Sequence, residues 1–333
     1  MPTAQVMSVR LWTKPKQPAI ATKVLLNQSI QTRRFEMRQP VAVLAFCLSA
    51  CASAPSAVVA TPAPVAELTQ TCAGKSGWRD PGPPVRVDGN VYYVGTCGIT
   101  ALLITSPAGH VLIDSAEAEA VPQILANVRQ LGLDPADIKW LLASHVHFDH
   151  VGGHAAMQAA TGARIAALPD QARELEQGEA AADDPQHGVI KGTTSVKVDR
   201  LLADGVPLVI GANRITPYAT PGHTRGSTSW VIRQCRDDAA CPAIVLADSI
   251  SPISADAYRF GDHNDWVSQF RSGVGRIANL PCSILVTPHP AGSKLFERLS
   301  GTAPLADSNA CKEYSAYGID WLERRLTTER PGP

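Results

Sequence analysis

From Pro84 onward the chain alternates short apolar runs with stretches of helical spacing. Residues 91–94, 101–105 and 110–113 are brief blocks of valine, leucine, isoleucine and tyrosine bounded by glycine and proline, and they predict successive strands. Residues 121–131 (VPQILANVRQL) switch to helical spacing, with Pro122 tolerated in the first turn. Residues 138–144 form a buried strand that runs directly into a cluster of histidines. A second cycle follows: strand 164–167, helix 170–177, strands within 194–232, strand 243–246, helix 265–280 and strand 283–287. The last helix, about 309–328, puts Cys311, Tyr314, Gly318, Trp321 and Leu322 on one face. Residues 178–189 are polar and punctuated by glycine and proline, so they predict a loop. Strand groups interleaved with helices define an α/β chain of two sheets with outer helices.

Upstream the pattern changes. Arg33, Arg34 and Arg38 precede the apolar run 40–50, and small residues follow, which is the layout of a secretory signal. The run is too short to span a bilayer. Its end, Leu48-Ser49-Ala50-Cys51, resembles the lipobox of bacterial lipoproteins, which implies an acylated Cys51 and a lipid anchor. The Ala/Ser-rich continuation also offers sites for ordinary cleavage. Met37 stands where a signal should begin and is the expected true start. The expected organisation is therefore an export signal over 1–51, an Ala/Pro-rich tether over 52–70 and a single catalytic domain over 71–330, working in the periplasm.

Composition changes the picture in one respect. The 333 residues hold 30 Lys+Arg and 30 Asp+Glu, a balance that excludes a nucleic-acid binder dependent on basic excess. Residues 1–51 take seven of the bases and one of the acids, leaving 23 against 29 and a charge of −6 on the remainder. Of the eight cysteines, Cys47 and Cys51 fall in the signal and six remain. Sequence alone does not choose their connectivity. Cys235 and Cys241 flank a polar turn and could close a hairpin; Cys282 opens a strand, Cys311 begins the late helix, and Cys72 and Cys97 are left as a third pair. Export would oxidise all three.

The chemistry concentrates in residues 144–153, Ser-His-Val-His-Phe-Asp-His-Val-Gly-Gly. His145 and His147, two apart on extended backbone, point to the same side. Thr220-Pro221-Gly222-His223 and Thr287-Pro288-His289-Pro290 each present one further histidine after a strand. The expected sets are His145, His147 and His223 for one ion, and Asp149, His150 and His289 for another. Three ligands per ion leave positions open for water and substrate, as in a catalytic site, and imidazole and carboxylate without thiolate suit zinc, with iron or manganese as alternatives. Two ions about 3.5–4 Å apart can generate a hydroxide at neutral pH.

These motifs resemble the metallo-β-lactamase superfamily, over roughly residues 72–325, and within it the third subclass of the class B β-lactamases. The resemblance extends through Val91–Thr96, His223–Trp230, Ala247–Ser251 and Leu285–Pro290. It implies a four-layer αβ/βα sandwich with two Zn2+ at the sheet edges, held by the six residues above. It also implies that Ser249 lines the second metal, that Ser251 binds the substrate carboxylate, and that Cys282–Cys311 is a disulfide. Other hydrolases of the fold carry a metal-bridging aspartate near Asp248, which leaves a one-residue register question. Arg225 stands where proline is usual and puts a charge near the rim; Asp114-Ser115 reads as structural. His154 fills no coordination place, and His110, His187 and His263 are expected at the surface or behind the ligands, contact of His187 with substrate being the lesser alternative.

The expected function is hydrolysis of the β-lactam amide by metal-bound hydroxide, with Asp149 orienting that hydroxide, in a monomer whose partner is a β-lactam. The alternative is another hydrolase of the same fold, acting on a lactone, thioester or phosphodiester. No S-x-x-K or G-x-S-x-G occurs, which excludes the serine-dependent routes.

Overall fold

The computed structural model describes residues 60–235 and 241–329. The export signal, Cys51 and residues 52–59 of the expected tether lie outside the described residues. The remainder of that stretch is not a tether. Helix α1 occupies Val65–Thr71, and Leu68 is fully buried in the core, because its apolar side chain finds a place beneath the first sheet.

The first sheet runs in chain order: β1 (Val85–Asp88), β2 (Val91–Tyr93), β3 (Leu102–Ile104), β4 (His110–Ile113), β5 (Ile138–Leu142), β6 (Arg164–Ala167) and β7 (Arg200–Leu201). Strands β1 to β4 pair antiparallel, whereas β4, β5, β6 and β7 pair parallel through helical crossovers. Helices α2 (Val121–Gln130), α3 (Phe148–Val151), α4 (His154–Thr161) and α5 (Pro169–Gln177) belong to these crossovers. The second sheet holds β8 (Leu208–Ile210), β9 (Asn213–Ala219), β10 (Thr228–Arg233), β11 (Ile244–Leu246) and β12 (Ile284–Val286), in the order β12-β11-β10-β9-β8. Only β11 and β12 pair parallel there, joined by α6 (Asn264–Ile277). Helix α7 (Leu295–Leu299) follows β12, and α8 (Ala310–Glu329) closes the chain.

Alternate residues of each strand serve different cores. Val111 and Ile113 face the layer between the sheets, with Trp230, Ile244 and Leu246 opposite, while Leu112 faces the outer helices with Ile124 and Val128. Val231, Val245 and Leu285 turn to the other side, under Phe270, Val274 and Leu322. Strands β2, β3, β4, β11 and β12 are buried along their whole length and read as unbroken runs, whereas β1, β8 and β9 alternate buried with more exposed positions. The architecture is a four-layer αβ/βα sandwich.

Three disulfides are formed, Cys72–Cys97, Cys235–Cys241 and Cys282–Cys311; the second bridges the adjoining ends of β10 and β11, and the third ties the approach to β12 to the start of α8. The strand expected to reach Ser144 stops at Leu142. The Ala143 carbonyl accepts from Trp230 Nε1 and Gln171 Nε2, and Ser144 N donates to Asp114, so side chains replace the ladder just where the ligand loop begins. Among the described residues no helix is long and apolar enough to cross a membrane.

Candidate metal centre

The loop after β5 supplies four of the six candidate ligands. His145 and His147 lie in the bent loop before α3, His147 itself with extended backbone, and Asp149 and His150 sit in the first turn of α3. The β9–β10 loop brings His223, and the residue run after β12 brings His289. In one group, ligand atoms of His145, His147 and His223 lie within 4.8 Å of one another; in a second, those of Asp149, His150 and His289 do the same. The groups adjoin, with the His145 and His150 rings 4.3 Å apart.

Four of the five histidines have one ring nitrogen hydrogen-bonded away from the group. His145 Nδ1 donates to Asp248 Oδ1 at 2.8 Å, His223 Nδ1 to the Ser251 carbonyl at 2.9 Å and His289 Nδ1 to the Gly98 carbonyl at 3.1 Å. His147 Nε2 lies 3.4 Å from Asp184 Oδ2, and His150 Nδ1 lies 3.4 Å from Asp114 Oδ2. These contacts select the tautomer and aim the other nitrogen into the group. His145 Nε2 is buried with no partner among the described residues, a nitrogen lone pair that a cation would satisfy. In the second group, Asp149 Oδ2 is 3.2 Å from His150 Nε2 and 3.5 Å from His289 Nε2, and the two nitrogens are 3.3 Å apart. Tetrahedral ligands on bonds of about 2.1 Å stand roughly 3.4 Å from one another, so the residues fit a metal ion.

The electrostatics differ between the histidines. Burial at His150 is outweighed by Asp149 and Asp114, which push it up to about 10, so an ion bound there displaces a proton, while the other histidine shifts run the opposite way. Burial, followed by the neighbouring His150, holds His145 well below its ordinary pKa, and burial followed by His147 brings His223 to about 4. Burial and His150 also lower His289. Neutral imidazoles are the form that binds metal. Burial would raise the Asp149 carboxyl, but the adjacent His150 outweighs it and keeps the carboxylate ionised.

Both groups open on a cleft of about 500 Å³, which Ser249 and Ser251 also line. Ser251 is tied to the site by its carbonyl and by its Oγ, 3.1 Å from His223 Nδ1. Asp248 belongs to neither group: its carboxylate lies behind His145. Arg225 turns from the cleft to pair with Asp183 and Gln269 and to lie over Trp266, so its charge is already matched. His110 is not at the surface; it is buried, and its Nδ1 accepts from Ser106 N in the turn before β4. His154 is buried against Ser115 Oγ, His263 stacks on Tyr258, and His187 is exposed outside the cleft wall.

Asp114, Asp184 and the Gly98 carbonyl were not among the residues expected to serve the site. Asp114 has a left-handed backbone (φ 62°), held by bonds to Ser144 N and Oγ. Its signal is an acid placed immediately after an apolar strand; Asp184 lies in a polar loop and carries none.

A two-sheet αβ/βα sandwich with paired histidine and carboxylate groups at one edge defines a metal-dependent hydrolase of α/β type. The sequence profile of the metallo-β-lactamase superfamily matches residues 94–289, and the chain belongs to that superfamily. Among solved structures it is similar to MIM-1, a metallo-β-lactamase from Novosphingobium pentaromativorans, at 49% identity over 79% of this chain and 97% of the other, with a TM-score of 0.76. MEM-A1, a subclass B3 metallo-β-lactamase from a soil metagenome library, matches at 34% identity, 76% and 98% coverage and a TM-score of 0.71. An N-acyl homoserine lactonase of Azorhizobium caulinodans is 28% identical over 39% of this chain and 58% of its own. The chain spans somewhat more than half the length of the curated relatives it matches.

Proposed function

We propose that the protein is an exported hydrolase that holds two zinc ions and opens the cyclic amide of β-lactams. The observation that carries this reading is the pair of adjoining three-ligand groups facing one cleft, each with room left for water and substrate. When bound, zinc supplies Lewis acidity, activating water near neutral pH and polarising a carbonyl oxygen. Asp149, ionised beside His150, accepts a hydrogen bond from the attacking water and so orients it. Ser249 and Ser251 offer hydroxyls to the substrate carboxylate, and no lysine or arginine lines the cleft among the described residues. The likeness to MIM-1 and MEM-A1 supports this substrate class. The arginines and apolar run of residues 33–50 support export to the periplasm, and Cys51 supports a lipid anchor.

Nitrocefin turnover that EDTA abolishes and zinc restores is the expected result. Protein carrying two zinc ions that turns over no β-lactam would overturn the reading. A lactone hydrolase is the second reading, favoured by the likeness to an acyl homoserine lactonase. Against it stands Asp248, whose carboxylate holds His145 instead of joining the ligand atoms. Lactone and β-lactam substrates assayed side by side separate the two.

A further inference from the structure

Helix α8 buries Cys311, Ser315, Gly318 and Leu322 against the second sheet and its helix. Gly318 permits a close approach there: a Cβ would stand 2.7 Å from Ile250 Cβ, so any side chain would push the helix off the loop that carries Ser249 and Ser251. The flank beside this buried face holds Tyr314, Tyr317 and Trp321, three and seven residues along, and all three line the metal cleft. Tyr314 is committed to structure, since its hydroxyl donates to the Asp248 carbonyl at 3.2 Å. Tyr317 and Trp321 make no such bond, although the Arg324 guanidinium lies 5.9 Å from the centre of the Tyr317 ring. Their rings lie 5.8 Å apart, Tyr317 is 55% exposed, and neither polar tip has a hydrogen-bond partner among the described residues.

The exposure is concentrated. Seven large hydrophobic residues are exposed among those described, and four of them, Trp78, Val189, Ile253 and Tyr317, border this one cleft. Apolar surface gathered around the mouth of a polar site marks a place for a ligand rather than a scatter of tolerated residues. Apart from the histidines and Asp149 of the metal groups, the cleft wall carries no ionisable acid or base among the described residues beyond tyrosine, so a group appended at the mouth meets rings and methyls.

We propose that Tyr317 and Trp321 form a subsite for a neutral aromatic or apolar substituent of the substrate, next to the metal groups and distinct from them. The subsite rests on the β-lactam reading and adds the class of side chain preferred. A stacking contact with each ring is worth roughly three- to tenfold in affinity beyond the area it covers.

The test compares kcat/KM for benzylpenicillin with that for 6-aminopenicillanic acid, which has the same nucleus without the phenylacetyl group. Zinc-loaded parent, Tyr317→Ala, Trp321→Ala, Trp321→Phe and the double alanine variant are assayed together. The parent favours benzylpenicillin, and the double variant loses about tenfold of that preference, while Trp321→Phe keeps most of it. A ratio that stays at the parent value in both alanine variants, whatever happens to the absolute rates, overturns the subsite. So does a parent that hydrolyses both compounds equally well, an outcome that leaves the β-lactam reading intact. Zinc content and far-UV dichroism of each variant separate loss of the subsite from loss of the fold, and the exposed Tyr317 supplies a substitution that removes no core contact.

Discussion

Removing the Asp248 carboxylate tests whether the ring orientations at the centre come from contacts behind the ligands. Asp248 Oδ1 and His145 Nδ1 are 2.8 Å apart, with side-chain exposures of 0% and 1%. Asp248→Ala would leave the buried His145 Nδ1–H only the longer contact to Ser144 Oγ at 3.3 Å, at a cost of up to about 1–3 kcal/mol to the native state. It would also free the ring to exchange tautomers, so that Nε2 no longer faces the group with its lone pair. Loss of such a supporting contact lowers metal affinity by about 10–100-fold, and that is the expected loss at the three-histidine group. Asp248→Asn retains an oxygen to accept from Nδ1 and should stay within about tenfold of the parent. Zinc titration against a chromophoric chelator reads both affinities, and thermal unfolding of the metal-free variants reports the stability change separately. Unaltered affinity in the alanine variant would refute the argument. Loss of both ions together would instead make Asp248 a bridging ligand and favour the lactone hydrolase.

Other consequences follow from neighbouring contacts. His289→Ala should reduce zinc from two ions per chain to one while the three-histidine group stays loaded, and two ions still bound would break the grouping. Gly98→Ala places a Cβ 2.2 Å from the Ser76 carbonyl, so the Gly98 carbonyl must shift from His289 Nδ1, and the second ion should bind about 10–100-fold more weakly; cobalt titration followed by its visible bands reads this directly. Glu174 is pushed up to about 8 by burial, with Asp184 adding to the effect. The folded chain therefore keeps a proton that the unfolded chain releases above its ordinary value of 4.5, and stability falls as pH rises from there towards 8. Glu174→Gln removes that slope, so its Tm should gain on the parent between pH 5 and 8; a constant difference would reject the assignment.

Periodicity made most of the sandwich legible. Strands His110–Ile113 and Arg164–Ala167 have the boundaries that their apolar runs suggest. Helix α1 was hidden, because alanine and proline around it mask the single side chain, Leu68, that anchors it. The grouping of the six candidate ligands was legible because their residue types are rare at such spacing after a buried strand. Their supports were not. Two are backbone carbonyls, of Gly98 and Ser251, which any residue could supply. The carboxylates that serve His145 and His147 come from 103 and 37 residues away. Arg225 misled in the opposite direction, since a charge beside a glycine suggests the rim until its partner Asp183 is known.

Strand direction explains why such distant pieces converge. Strands β4 and β5 are parallel in the first sheet, and β11 and β12 are parallel in the second; β9, antiparallel to β10, runs the same way as β11. The residues that follow β4, β5, β9, β11 and β12 therefore emerge at one edge of the sandwich, outside the carboxyl ends of their strands. These are Asp114, the 144–150 loop, His223, Asp248 and His289. The same pairing answers the register question at Asp248. Leu246 pairs with Val286 and faces the layer between the sheets, and Ala247 N donates to the Val286 carbonyl while its side chain faces the outer helices. Continuing the alternation returns Asp248 to the inner layer, where His145 arrives from the opposite sheet. A slip of one residue would exchange Asp248 for Ser249, leaving His145 Nδ1 facing a hydroxyl and moving the carboxylate to the cleft. The Asp248–His145 bond is thus a contact between the two sheets as well as a support for a ligand, which couples the docking of the halves to the readiness of the metal group.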